Sequence, residues 1–169
     1  VSAKSNVPLK GLIPIKNVEP YHKIALRTAS KSPCVRRKYG AVIAYWSDTP
    51  TMITACNARV TKVCNGVCVR ERFGIVHGSR TELGAEVHAE QAALIEAPKM
   101  GDLFVLAGWR KQEELKGTDC YPCLVCARMI KYAGYKWIYI KNEDDQITPV
   151  SIYDIIVYRE QELGPFYDE

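Results

Sequence analysis

The sequence predicts an α/β sandwich with its chemistry gathered at strand ends and helix starts. Short β-branched runs alternate with helix-compatible stretches along the chain, which is the pattern of a sheet covered by helices. The two densest groups of chemically capable side chains are His88-Ala89-Glu90 and Pro122-Cys123-Leu124-Val125-Cys126. Each opens a helical stretch that follows a strand-like one, where α/β folds place their sites. At 169 residues with 47% hydrophobic content, the chain suits one domain, 1–169, with a sizeable core.

Pro14 and Pro20 flank a polar entry, after which Tyr21 to Ser32 reads as a first helix carrying Ile24, Ala25 and Leu26 and ended by Pro33. Tyr39 to Trp46, with Gly40-Ala41-Val42-Ile43-Ala44, and Thr51 to Asn57 read as strands joined through Ser47, Asp48 and Pro50, a hairpin. Asn65 to Gly84 shows scattered glycine and charge without a period and reads as irregular. A helix opens at His88 and runs to about Ala97, where Pro98 stops it. Leu103 to Ala107 is a buried strand. A long connection, Gly108 to Tyr121, follows with Trp109 and the charged run Lys111 to Lys116, and its place before Pro122 predicts a position near the pocket mouth. Cys123 to Ala133 is a helix with Ala127, Ile130 and Ala133 on one side, capped by Gly134, and Lys136 to Ile140 is a strand. The aromatic run Tyr132, Tyr135, Trp137 and Tyr139 reads as packing or an oligomer contact. In the last stretch, Asp144 to Glu169, Thr148-Pro149 resembles a helix start while Ile152 to Tyr158 is rich in β-branched residues; a helix is the expectation.

The net charge of +4 is mild and dispersed. It suits an anionic small substrate and falls short of the dense basic stripe of a nucleic-acid binder. No apolar run approaches the ~20 residues of a membrane span, and Val1 to Lys10 lack a signal peptide's hydrophobic region, so a soluble, intracellular protein is expected. Seven cysteines is an odd count, two of them in C-x-x-C, which fits a reducing cytoplasm better than a secreted disulfide framework.

Chemistry enters with the two motifs taken together. His88, Cys123 and Cys126 supply three metal ligands, and a three-ligand zinc site keeps one position for water where a four-ligand site is structural. Zinc lowers the pKa of such a water, and Glu90 is placed to take its proton. Cys123 and Cys126 stand three apart, so they share one face of the first turn after Pro122, where the helix dipole favours thiolate. His88 and Glu90 are about 200° apart on a helix and converge only near its start. The zinc is therefore expected between two helix N-termini.

These residues carry the H-x-E and P-C-x-x-C signature of zinc nucleobase deaminases. Over about Tyr21 to Ile140 the chain resembles the zinc-dependent cytidine and deoxycytidylate deaminases, most closely the deoxycytidylate branch, leaving 144–169 as an extension. Cys34-Val35-Arg36-Arg37-Lys38-Tyr39-Gly40-Ala41-Val42-Ile43 is similar to that branch's first strand, and Cys68-Val69-Arg70-Glu71-Arg72-Phe73-Gly74-Ile75 to its segment before the catalytic helix. The resemblance implies a three-layer α-β-α sandwich with a central mixed five-stranded sheet, a zinc ion, and a homo-oligomer whose neighbours help shape the active site. It also implies the reaction: water activated at the metal attacks C4 of a cytosine ring, Glu90 protonates N3 and then the leaving amine, and dCMP becomes dUMP and ammonia. The Ala89 backbone N–H would hold the base carbonyl and Asn57 the sugar, although Asn57 in this position also suits a strand end that organises a turn.

Arg36, Arg37, Arg70 and Arg72 are candidates for phosphate, which a guanidinium grips through paired hydrogen bonds, with solvated surface as the alternative. Cys64, Cys68 and His77 are expected to be unconnected; the alternative is a second, structural zinc site. One departure from the family pattern is Asn57-Ala58-Arg59-Val60, which lacks the glycine and proline of the nucleotide-binding loop, so triphosphate regulation there is not expected. Three readings stay open: a deaminase of dCMP or another free pyrimidine nucleotide or nucleoside, an editing deaminase of a base in RNA or DNA, and a non-catalytic zinc module in which Cys120 closes the fourth position.

Overall fold

The computed structural model describes residues 12–47, 49–60, 66–76, 80 and 86–164. Its centre is a mixed sheet. Strands β1 (Lys38–Tyr45) and β2 (Thr51–Cys56) form the expected antiparallel hairpin, with Gly40 opposite Cys56 and Tyr45 opposite Thr51. Two residues later the short strand β3 (Ala58–Arg59) pairs antiparallel with β4 (Glu86–Val87) in a separate small sheet. Strand β5 (Leu103–Arg110) lies antiparallel to β1, and β7 (Trp137–Lys141) lies parallel to β5 with Val105 opposite Tyr139. Strand β8 (Ile147–Ser151) closes the order β2-β1-β5-β7-β8. A sixth short strand, β6 (Glu113–Glu114), folds back on the end of β5.

Side-chain alternation on these strands divides the core in two. Val42, Ala44, Leu103, Val105 and Ala107 point to one face, where helix α1 (Ile15–Ala29) covers them with Val18 and Ala25. Ala41, Ile43, Phe104, Leu106, Ile138 and Ile140 point to the other. There α3 (Ala89–Glu96), α4 (Leu124–Tyr132) and α5 (Ile152–Glu162) pack Ala93, Ala127, Ile130 and Ile155 onto the sheet. Both faces are buried, so these strands read as continuous apolar runs, as strands covered on two sides do. The result is the expected three-layer α-β-α sandwich, its mixed sheet holding the five strands expected and a sixth, β6, at the end of β5.

The first helix begins earlier than the sequence predicts. It starts at Ile15 with Pro14 as its cap and passes through Pro20, which was expected to precede a helix beginning at Tyr21. A proline in a helix removes one hydrogen bond and costs about 3 kcal/mol in an interior. Val18, fully buried on the stripe that continues to Ala25 and Ala29, offsets it. The helix ends at Ala29 as the Ser30 and Ser32 N–H groups turn back to Leu26 and Ala29 carbonyls.

The segment expected to be irregular, Asn65 to Gly84, contains a one-turn helix, α2 (Val69–Arg72), stopped at Gly74 with φ 64°, and the strand β4 follows it. Cys64 and His77 lie outside the described residues, and Cys68 is buried. At the C-terminus the expected helix forms, but it begins at Ile152, capped by Ser151, and Thr148-Pro149 belong to β8. Pro149 fits there because β8 is an edge strand and needs no N–H on its outer side. Tyr135 and Tyr139 pack in the core, whereas Tyr132 is 96% exposed. Among the described residues no helix is long and apolar enough to cross a membrane.

Candidate active site

Two helix starts face each other across the second layer. His88 is the N-cap of α3, in extended conformation, and its backbone N–H donates to Gln91 Oε1 at 3.0 Å. The conflict between two-residue spacing and a shared face is thereby removed: His88 stands outside the helix, and Glu90 is its second residue. Cys123 is likewise the N-cap of α4, with the Cys126 N–H donating to its sulfur at 3.5 Å. Gly134, at φ 104°, terminates that helix as expected, its N–H donating to the Lys131 carbonyl.

His88 Nδ1 lies 3.5 Å from Cys123 Sγ and 3.3 Å from Cys126 Sγ. All three donor atoms fall within 4.8 Å of one another. Bond lengths of about 2.0 Å to nitrogen and 2.3 Å to sulfur at a tetrahedral angle put N and S about 3.5 Å apart, so the set fits one zinc ion. The Cys123 thiol is pushed down to about 4, first by the hydrogen bond from the Cys126 thiol and then by His88. Cys126 is displaced upward by the same hydrogen bond. Burial pulls the His88 imidazole down, but hydrogen bonding to Cys123 and the nearby Glu90 and Cys123 charges outweigh it and leave it raised.

Glu90 is only 4% exposed. Burial pushes its carboxyl above the usual carboxylate range, with His88 pulling the other way. A carboxyl shifted in that direction holds its proton more readily than an exposed one, which suits general acid-base work. Ala89, fully buried, is the first helical residue, a position whose backbone N–H has no partner within the helix.

The remaining sequence-predicted residues converge to different degrees. Arg36, Arg37, Asn57 and Arg70 line the same pocket as His88, Glu90 and Cys123. Asn57 is buried and uses its amide on the entry to β1, accepting from the Tyr39 N–H at 2.7 Å and donating to the Arg37 carbonyl at 3.0 Å. Arg37 pairs with Asp119 at 3.0 Å. Arg36 donates to the Ile75 carbonyl at 3.0 Å, while its Nη1 and the Nε and Nη2 of Arg70 are buried with no hydrogen-bond partner among the described residues. Burial first, then the Arg36 charge, lowers the Arg70 pKa. Arg72 is exposed and stays off the pocket wall.

The 108–121 connection reaches the pocket only through its end. Tyr121 lines it, and Asp119 is held by Arg37 and by the Tyr39 hydroxyl, which donates to its carbonyl at 2.8 Å. The β6 end turns away, with Glu114 paired to Lys141 at 3.0 Å. Cys120 does not close the metal site. Its thiol donates to the Leu115 carbonyl at 2.9 Å inside the core, and no fourth donor joins the three among the described residues. Sequence reasoning missed Arg159, which comes to the pocket wall from α5; a lone arginine in a helix 33 residues past the cysteine motif carries no local signal.

A sandwich with two cysteine sulfurs and an imidazole at facing helix starts, and a buried carboxyl beside them, defines the zinc-dependent deaminase class. Residues 15–141 match the model of the cytidine and deoxycytidylate deaminase zinc-binding region, and the chain belongs to that family. Zinc is its cofactor. Among solved structures, a cytidine deaminase from Burkholderia pseudomallei superposes with TM-score 0.50 at 14% identity, covering 85% of this chain and 96% of that one. A point-mutant cytidine deaminase from Mycobacterium tuberculosis gives TM-score 0.45 at 17% identity, covering 79% and 89%. The first likeness supports the architecture. No curated protein sequence matches the chain.

Proposed function

We propose that this protein deaminates a free cytosine nucleotide by hydrolysis, with dCMP, converted to dUMP and ammonia, as its preferred substrate. The observation that carries this reading is one pocket holding a buried carboxyl beside the metal donors and, on its wall, arginines with unspent N–H groups. When bound, the zinc supplies a Lewis acid that makes water a nucleophile at neutral pH. His88, Cys123 and Cys126 hold that ion. Glu90 takes the proton from the attacking water, delivers it to N3 of the ring and carries the second proton to the departing amine.

Substrate placement follows from what each wall residue has left. Arg36 and Arg70 have buried donors free for phosphate, and a buried unpaired guanidinium N–H is costly unless an anion meets it. Arg37, spent on Asp119, orders that wall. Asn57 retains one amide N–H for a sugar hydroxyl, and the Ala89 N–H faces the base carbonyl. The protein is placed in the reducing cytoplasm, where a two-thiolate site keeps its sulfurs reduced. A homo-oligomer is expected, in keeping with Ile95, Val125 and Tyr132 standing exposed on α3 and α4; light scattering at working concentration measures it.

The deciding experiment compares ammonia release from dCMP, deoxycytidine, cytidine, deoxycytidine triphosphate, free cytosine and a single-stranded oligonucleotide. The highest kcat/KM on dCMP supports the reading. Preference for the oligonucleotide, or release from none of them by zinc-loaded protein, overturns it.

A further inference from the structure

We infer that Arg159, on the C-terminal helix outside the family-matched segment, is a positioning residue that fixes the loop carrying the ligand Cys123. Arg159 is 5% exposed, and its guanidinium spans three partners. Nε donates to the Pro122 carbonyl at 3.0 Å, Nη2 to the Tyr121 carbonyl at 2.8 Å, and Nη1 to Glu162 at 2.9 Å. The first two partners are the residues immediately before Cys123. Both carbonyls lie ahead of α4, where no intrahelical donor serves them, and a buried carbonyl without a donor is costly. The guanidinium fork fits two adjacent carbonyls in a way a lysine cannot reproduce.

The neighbours of Arg159 are themselves fixed. Its guanidinium lies over the Tyr158 ring at 5.6 Å, and Tyr158 meets the Tyr121 ring edge-on at 5.4 Å. From the opposite side, Arg37 and Tyr39 hold Asp119 in the same loop. The peptide leading into Cys123 is thus gripped from β1 and from α5, and only the α5 grip touches the residues next to the ligand. Outer-shell partners of metal ligands typically contribute about 10–100-fold to metal affinity. Arg159 reaches the metal ligand through the backbone of Tyr121 and Pro122, and its charge also bears on Glu90, whose pKa it pulls down.

This inference rests on the metal site and is independent of which pyrimidine is the substrate. The test uses the zinc-loaded protein and needs no substrate: zinc release to a chromophoric chelator, and the visible absorption of the cobalt-substituted protein. Arg159→Ala is expected to release zinc at least about tenfold faster and to shift the cobalt spectrum. Arg159→Lys restores part of each, and millimolar guanidinium ion slows release from the alanine variant. Glu160→Gln, which breaks the Arg128–Glu160 pair joining α4 and α5 at 3.1 Å, separates helix docking from loop positioning. Equal release rates in wild type and Arg159→Ala overturn the inference, as does a Glu160→Gln variant that loses zinc as fast. If Arg159→Ala does not fold, release from Arg159→Lys at the wild-type rate is the overturning result. A wild-type protein that binds no zinc would instead remove the metal site, and its metal content shows this separately.

Discussion

Glu90 combines burial with a place two residues from a metal ligand, and its expected consequence is specific. Glu90→Gln keeps the shape and removes the proton carrier, so ammonia release falls by about 10²–10⁴-fold or more while zinc content stays at the wild-type level. Undiminished turnover in that variant would take Glu90 out of the mechanism. The donors predict a pH dependence whose sign is fixed. Ligands must be deprotonated to bind, and the His88 pKa is raised in the folded protein. Protons compete with the metal for all three donors, so zinc is lost on acidification, at a pH below that at which the metal-free imidazole takes up its proton, which dialysis followed by metal analysis measures. At this scale the sequence was most informative about His88, Glu90, Cys123 and Cys126, since their roles depend on spacing within single helix turns. Arg37 was less legible: only the fold reveals that Asp119, 82 positions away, occupies its guanidinium.

Between elements, close approach rather than propensity decides several positions. Helix α1 crosses β1 at Gly40, where an added methyl would collide with the Ala25 carbonyl and the Ala29 nitrogen. Both are backbone atoms and cannot swing aside, so Gly40→Ala is expected to destabilise by about 1–3 kcal/mol, read as a lower urea midpoint. On the other face, Ile155 of α5 is fully buried in the core it shares with Ile138 and Ile130. Truncating Ile155 to alanine should cost about 2–5 kcal/mol, and the same urea titration would show a surface role if the midpoint did not move. The hairpin and the helix after Pro122 were readable because their turn residues and caps are local. Strand β8 was not, because Thr148-Pro149 has the chemistry of a helix start and becomes a strand only by pairing with β7, where Pro149 lies opposite Tyr139.

Across the whole molecule, buried neutral acids set the alkaline limit of stability. Burial pushes the Cys34 thiol up to about 11, and the Cys120 thiol and Tyr135 hydroxyl each up to about 12. A raised folded-state pKa means the fold keeps protons that the unfolded chain sheds. That contribution is complete below about pH 9, where unfolded thiols begin to ionise, and is lost between about pH 9 and 12. Thermal melts at pH 7, 9 and 10.5 should show a falling midpoint only above pH 9, and Cys120→Ala should flatten the fall. The mild net charge of +4 bears on partners at the same scale. A protein gripping a polynucleotide loses about 10³–10⁵ in affinity between 50 and 200 mM salt; kcat/KM on the small substrate should change by less than about tenfold over that range.

From the sequence alone came the ligand set, the carboxyl beside it, the alternation of strands and helices, and the two helix starts that hold the donors. These are short-range properties: a cap, a turn or a three-residue spacing is specified by adjacent side chains. The tertiary structure alone decided that Cys120 belongs to the core and not to the metal, that Arg36 and Arg70 have buried donors without a partner among the described residues while Arg37 is paired with Asp119, and that Arg159 grips the carbonyls before Cys123. Each of these depends on partners tens of residues away, and a residue's remaining hydrogen-bonding capacity is known only once the fold has brought those partners within reach.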